Sequence, residues 1–436
     1  MRVIMAASEA VPFAKTGGLA DVVGALPPAL QQRGVDVAVI LPKYPSVTEA
    51  GAAVRRLDWT LAVPVSSRTV TAGVWTTTGA DGVAVYFIEA DPYFARAALY
   101  GTASGDYPDN AERFAFFSRA ALALAQRLGA PDVFHCHDWQ TGLIPVFLRA
   151  DPTRYADLAR TRTVLTVHDL TFIRDPESAF PRLRRYLNRV VPRSVARAVH
   201  ILADSVATKN DVVELFGTQL DKITVLYGGV DARFAPVQEP NRLAAVRARY
   251  GIGQAPFILG IGTIQPRKNY RRLIQAFADL NPSASGLQLV IAGGKGWMYD
   301  QIFAEVKRLG QEGHVIFPGF VDDDDLPALY SAAEMLAYPS IYEGFGLPIL
   351  EAMACGAPVV TSRTSSLPEL TGEAALLVEP TDVADIADAM RRLRQDADLR
   401  RRLVAQGFGQ TRKFTWEKAA HQLLGVYEAL GALRAA

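Results

Sequence analysis

Short β-rich runs alternate with longer helical patterns in two series along this chain, and few folds accommodate that rhythm. In the first series "RVIMAA", "VDVAVILP", "VAVYFIEA", "DVFHCH", "RTVLTVHD" and "HILADS" read as buried strands. Between them lie stretches such as "AERFAFFSRAALALAQRLG", whose apolar residues recur at helical spacing. The second series runs through "FILGIG", "LQLVIAGG", "HVIFPG", "MLAYPS" and "APVVTS". Such alternation is the pattern of parallel α/β sheets. Residues 227–243, "YGGVDARFAPVQEPNRL", are rich in Gly, Pro and polar residues and read as a linker. A chain of 436 residues is also too long for one core. The expectation is therefore two Rossmann-like, doubly wound domains, residues 1–235 and 240–415, facing a cleft at the carboxyl ends of their strands. A C-terminal helix over 416–436 is expected to pack back on the first domain.

Composition narrows the partners. Half the residues are hydrophobic, 21% are charged and the formal net charge is +1, without the basic excess of a nucleic-acid binder. The opening "MRVIMAASEA" is too poor in apolar residues for a signal peptide, and no run approaches the length of a membrane span, so a cytoplasmic location is expected. Cys136 and Cys355, far apart amid apolar neighbours, read as buried reduced thiols.

Two stretches carry the chemistry. In "AKTGGLADVVGAL", residues 14–26, a lysine and two glycines precede an amphipathic run. Gly17 and Gly18 let bare amides and a helix start approach an anion, or merely supply a turn between strand and helix. In "YPSIYEGFGLPILEAMACGAPVVTS", residues 338–362, Glu343 follows a strand, Gly344 and Gly346 open a loop, and Pro348 suits the first turn of the helix carrying Glu351. With one acid before the helix and one inside it, the two should meet different parts of an elongated ligand. Taken singly, Glu343 also reads as a solvated loop acid and Glu351 as an ordinary helix acid.

"VDDDDLPALY", residues 321–330, has the look of a D-x-D metal site, but acids before an apolar-periodic helix are better explained as caps. In "HCHD" the alternation puts His135 and His137 on one strand face, with no further ligand pair at zinc spacing. Both read as structural, and Asp138 as a cleft residue at a strand end.

Residues 338–362 resemble the E-x7-E region of retaining GT-B glycosyltransferases, particularly the large mannosyltransferase-like family. "GTIQPRKNYRRLIQAF", residues 262–277, is similar to that family's phosphate-binding strand and helix. The resemblance implies that Glu351 binds the ribose hydroxyls, Glu343 lies beside the donor sugar, and Lys268 neutralises the diphosphate. Gly344, Phe345, Gly346 and Leu347 would line the donor. Thr263 stands where many relatives place an arginine, leaving Arg267 as the substitute second cation.

The first domain resembles a different branch. "KTGGLADVVGALP", "YPDNAERFAFFSRA" and "HCHDWQTGLIPVFL" are similar to the glycogen and bacterial starch synthase family, in the expected order. This implies that Lys15, Gly17 and Gly18 approach the donor phosphates with Asp21 nearby, that Asn110 and Asp138 lie on the acceptor side or cleft, and that His168 meets the transferred sugar. Past His168 the stretch to "ADS" at 203–205 is shorter than in that family, and the cysteine form of the glutamate loop is absent. The halves thus point to different relatives, with a natural or engineered seam expected near residues 165–175.

The resemblance implies a retaining transfer of a hexose from a nucleoside diphosphate sugar to a hydroxyl. No cofactor and no essential metal are expected, because Lys and Arg would neutralise the diphosphate. ADP-glucose with a glucan acceptor leads. A GDP-mannose or UDP-hexose enzyme acting on a glycan or lipid-linked acceptor, and a catalytically silent nucleotide-sugar-binding protein, remain open.

Overall fold

The computed structural model describes residues 1–49, 53–79, 81–102 and 105–432. The chain divides into two compact units, Met1–Tyr227 with the C-terminal segment from Trp416, and Gly228–Thr415.

The first unit is built on a nine-stranded sheet. Its order is Ile223–Val225, His200–Ala203, Arg162–Val167, Val133–His137, Arg2–Ala6, Asp36–Pro42, Ala84–Glu89, Arg68–Thr78 and Arg55–Val65. All six runs expected in this half are strands, and neighbours among them pair in parallel. The sheet is not purely parallel, however. The strands Arg55–Val65 and Arg68–Thr78 form an antiparallel hairpin at one edge. Their polar residues alternate with apolar ones because one face meets solvent, so they lack the continuous apolar signature that marks a buried strand. The edge strand Ile223–Val225, parallel to His200–Ala203, has three residues, too few to carry a periodic signal.

Helices cover the buried strands. Asn110–Leu128 sinks Phe114, Phe116, Phe117, Ala120, Ala121 and Leu124 into the core at helical spacing. The C-terminal helix Trp416–Ala432 packs against Gly18–Gln31 and sends Tyr427, fully buried, to hydrogen-bond His135.

The second unit holds a six-stranded parallel sheet in the order Val315–Gly319, Gln288–Ala292, Phe257–Ile261, Met335–Tyr338, Val359–Ser362 and Ala375–Val378. Strand residues divide between two cores. Phe257, Leu259 and Ile261 face one, while Ile258 faces the other with Leu289, Ile291 and Met335. A sheet buried on both faces needs near-continuous apolar strands, which is why this half was legible.

The strand orders position the sites. In the first sheet the order reverses between Arg2–Ala6 and Val133–His137. In the second it reverses between Phe257–Ile261 and Met335–Tyr338. Loops leaving the carboxyl ends at such a reversal diverge to opposite faces and leave a crevice for ligands. Among the described residues, no helix is long and apolar enough to cross a membrane.

Candidate active site

In the second unit the two loops at the reversal meet over one carboxylate. The loop after Phe257–Ile261 turns at Gly262, where φ is +121° and a Cβ would lie 3.1 Å from Lys268 Cε. It ends at Asn269, whose Nδ2 donates to Pro339 O at 2.9 Å and to Pro380 O at 2.6 Å, tying the glutamate loop to its neighbours. Lys268 and Arg267 are thereby aimed at Glu343.

Glu343 is buried, at 6% exposure. Its Oε1 accepts from Lys268 Nζ at 2.7 Å and from Tyr338 OH at 3.0 Å, and its Oε2 accepts from Arg267 Nη1 at 2.5 Å. Tyr338 also bonds Lys268 Nζ. Burial opposes the charge on Glu343, but Arg267 and Lys268 outweigh it and hold the carboxyl at about 2. Glu343 is therefore a buried, paired anion and not a solvated loop acid.

Behind it, Ser366 Oγ donates to Glu343 O at 3.0 Å and to Phe345 O at 2.5 Å, fixing the loop backbone. Gly346 has φ +117° and opens the helix Leu347–Ala354; a Cβ there would press on Leu367 at 2.9 Å. Gly344, Phe345 and Leu347 are buried along this turn, with the Phe345 ring 6.2 Å from that of Phe414. Glu351, half-buried, accepts from Tyr330 OH at 2.7 Å, apart from the Glu343 cage.

The aspartate run departs from its expected role. Asp325 sits at the start of Leu326–Ala332 but makes no side-chain capping bond. It instead pairs with Arg249 Nη1 at 2.7 Å and accepts from Tyr250 OH at 2.9 Å, while Asp322 pairs with Arg249 as well. Ion pairing with a distant arginine outcompetes a local cap, a choice invisible to spacing. Among the described residues no group of three or more His, Cys, Asp or Glu is arranged to hold a metal ion.

In the first unit the glycine loop is organised by a residue that sequence reasoning missed. Glu9, 3% exposed, accepts from Thr16 N and, at 2.8 Å, from Thr16 Oγ1; Tyr100 OH donates to it at 2.5 Å. The Gly17 N–H also turns to this carboxylate. Burial pushes the Glu9 carboxyl up, against these hydrogen bonds. The Gly17 amide expected to meet a phosphate is thus engaged by protein. Gly17 itself is extended, with φ −162°, and a Cβ there would touch nothing within 4 Å, so neither the turn nor packing demands a glycine. Gly18 begins the helix Gly18–Gln31, and Lys15 Nζ donates to Asp21 Oδ1 at 2.8 Å across its first turn.

Asn110 is buried at 3% exposure, its amide donating to Tyr100 O at 2.7 Å and its oxygen accepting from Arg113 at 2.6 Å. It shapes the wall that carries Tyr100.

At the carboxyl end of Val133–His137 three imidazoles stack. The rings of His135 and His137 lie 4.2 Å apart and those of His137 and His168 lie 5.6 Å apart. His135 bonds Tyr427 OH and Thr166 Oγ1, both at 2.7 Å, and burial lowers it to about 3. Burial also holds His137 well below the usual range. His168 differs. Burial works against its charge, yet Asp204, with Oδ2 2.6 Å from Nδ1, raises it to about 9, helped by Asp138 and Asp169. Asp138, at φ +59°, is raised by burial to about 7 despite His168. Asp204 lies in "ADS", where no local pattern marks it as a partner for a histidine. Cys136 and Cys355 are both buried and free.

Comparisons with known proteins agree with this architecture. Residues 2–185 match the family model of the starch synthase catalytic domain, and residues 245–410 that of the glycosyl transferases group 1. A glycogen synthase of Geotalea daltonii is 31% identical over 413 residues, covering 84% of each chain. The O-antigen chain mannosyltransferase B of Escherichia coli is 36% identical over 281 residues, 64% of this chain and 73% of that one. Among solved structures, the catalytic domain of starch synthase IV from Arabidopsis thaliana, bound to ADP and acarbose, superposes with a TM-score of 0.79 at 23% identity over 99% of both chains. The starch synthase match runs past residues 165–175, and 84% of this chain exceeds either unit, so both halves have counterparts in one glycogen synthase. The chain belongs to the GT-B glycosyltransferases of the glycogen and starch synthase family.

Proposed function

We propose that the hexose this enzyme moves is glucose, taken from ADP-glucose and added with retention to an α-glucan, in the cytoplasm. The observation that carries the reading is the extent of the glycogen synthase match, which includes both units, against the 64% of the chain covered by the mannosyltransferase.

In this reading Lys268 and Arg267 receive the diphosphate, supplying cations where charge develops on the leaving group, without a metal ion. Glu343 holds both cations in place before the donor arrives and then lies beside the sugar. Glu351, held by Tyr330, takes the ribose hydroxyls, and the turn Gly344–Leu347 lines the donor. On the first unit, Lys15 and the helix start at Gly18 attract an anion, the Gly17 amide being held by Glu9, and His168 contacts the transferred sugar with Asp138 on the acceptor side. Glu343, tied to Lys268, Arg267 and Tyr338, is a poor nucleophile, and the front-face displacement that the family resemblance implies needs no protein nucleophile. The bond from the anomeric carbon to the phosphate oxygen breaks, the bond to the acceptor oxygen forms on the same face, and the acceptor proton passes to the departing phosphate.

A second reading, a GDP-mannose or UDP-hexose transferase with a glycan or lipid-linked acceptor, is favoured by the 36% identity to the mannosyltransferase. Turnover with ADP-, UDP- and GDP-sugars against glycogen, maltooligosaccharides and lipid-linked glycans decides between them. Incorporation from ADP-glucose into glucan is expected. Turnover only with another donor overturns the first reading, and saturable binding without turnover on any acceptor indicates a silent binder.

A further inference from the structure

The helix Pro181–Arg197 carries six arginines and no acid. Its inner face buries Leu187, Val190, Val191 and Val195, and its outer face exposes Arg182, Arg185, Arg189, Arg193 and Arg197. Successive members of this set are three or four residues apart, the spacing that aligns side chains along one side of a helix. At about 1.5 Å per residue the stripe is roughly 22 Å long.

Among the described residues none of the five arginines forms an ion pair. From Thr171 to Ala198 the only acids are Asp175, which accepts from Ser178, and Glu177, both preceding the helix. Beyond its other end Lys222 Nζ caps Val195 O at 2.8 Å and Ala196 O at 3.2 Å, and the charge of Arg149 reaches Lys222, extending the basic ground. On a chain of net charge +1 this is a local concentration. Arg182 and Arg185 oppose the helix dipole at its N-terminal end, whereas Arg197 in the last turn suits it.

Guanidinium groups match phosphate oxygens in planar pairs, which points to a phosphate array as the partner. Single-stranded nucleic acid is recognised on aromatic stacking platforms, and this face has none. Its one aromatic, Tyr186, packs edge-on against Trp139 with its hydroxyl enclosed. Among the described residues the exposed large apolar ones, Met1, Val206, Leu220, Met298 and Phe320, lie outside the helix, so the stripe itself has nothing to insert into an acyl layer. A straight line of charge suits a plane of headgroups.

We infer that the arginine stripe of Pro181–Arg197 docks the first unit, reversibly and by charge alone, on the surface of an anionic phospholipid bilayer. This inference is independent of which donor and acceptor the enzyme uses. Each basic residue near such a surface contributes about fivefold in partition, and the attraction fades within a Debye length.

The test is sedimentation of the full chain with vesicles. Binding is expected to phosphatidylcholine–phosphatidylglycerol vesicles and not to phosphatidylcholine alone, and is expected to be lost between about 50 and 300 mM salt. The triple variant Arg185→Gln, Arg189→Gln, Arg193→Gln should weaken binding by about two orders of magnitude. The variant Arg400→Gln, Arg401→Gln, Arg402→Gln, with the same change in net charge on the other unit, should bind like the parent. Circular dichroism confirms that each variant is folded. No binding to the anionic vesicles at low salt, equal loss in both variants, or tighter binding to duplex DNA than to the vesicles at matched salt would each overturn the inference.

Discussion

His168 Nδ1 lies 2.6 Å from Asp204 Oδ2, while its Nε2 faces His137 Nδ1 at 3.3 Å. Both ring nitrogens are therefore occupied within the first unit. Since burial holds His137 neutral, His168 is the member of the stack that carries charge at neutral pH. The groups facing it are Asp204, Asp138, Asp169 and His137. A sugar oxygen reaching Nε2 would compete only with the long contact to His137, so Asp204 fixes the ring and leaves its outer nitrogen available for exchange.

Asp204→Asn removes the nearest of the groups that raise His168. Burial then dominates, and the ring should titrate below its ordinary value of 6.5 in place of about 9. A group raised in the folded state stabilises it fully below the unfolded value and loses that contribution as pH rises through the folded one. The pair should thus add about 3 kcal/mol below pH 6.5, fading by pH 9 in the parent and absent in the variant. Imidazole NMR titration with denaturation curves across this range checks both. An unchanged His168 titration in the variant removes Asp204 from the role.

Lys268→Ala should reduce turnover by at least about two orders of magnitude, comparable to losing one donor of a transition-state anion site. The buried Glu343 also loses a partner, so stability should fall while Arg267 keeps the carboxylate paired. Single-turnover kinetics on protein shown to be folded separates the two effects. A parental rate would mean that the diphosphate does not meet Lys268.

Gly17→Ala asks whether a ligand approaches the first-unit loop. The backbone there is extended and a Cβ meets nothing, so stability should stay within about 0.5 kcal/mol. If a phosphate packs against this position, kcat/KM should drop at least about tenfold, about 1.4 kcal/mol. Unaltered kinetics in the variant would return Gly17 to a simple connecting role.

Thorough chelation should leave activity intact, since Lys268 and Arg267 supply the charge at the proposed diphosphate site. Complete loss with EDTA that added Mg²⁺ restores would bring the run Asp322–Asp325 back as a candidate ligand set.

Much of the candidate site is legible because its residues are contiguous. Glu343, Gly346 and the helix they precede lie within a few residues of one another, and Arg267 and Lys268 are adjacent. Glu9 and Asp204 were not legible. Glu9 acts on Thr16, Gly17 and Tyr100, and Asp204 on a histidine 36 residues earlier, so nothing local distinguishes either from an ordinary acid. The aspartate run failed for the same reason, since its partners Arg249 and Tyr250 are more than 70 residues away.

Local pattern was enough for the two doubly wound sheets and the loops bearing the chemistry, because strands buried on both faces are continuously apolar and the turns at their ends are rich in glycine and proline. The division between the units, by contrast, falls at Tyr227 and Gly228, ahead of the 235 and 240 bounds expected from composition. Which charges meet depends on the folded chain. Strand order brings the Lys268 and Glu343 loops to one reversal point, and burial there makes the carboxylate dependent on both cations. The half-solvated hairpin Arg55–Val65 and Arg68–Thr78, and the partners of Glu9 and Asp204, were likewise set by long-range packing, whose energetics no local pattern encodes.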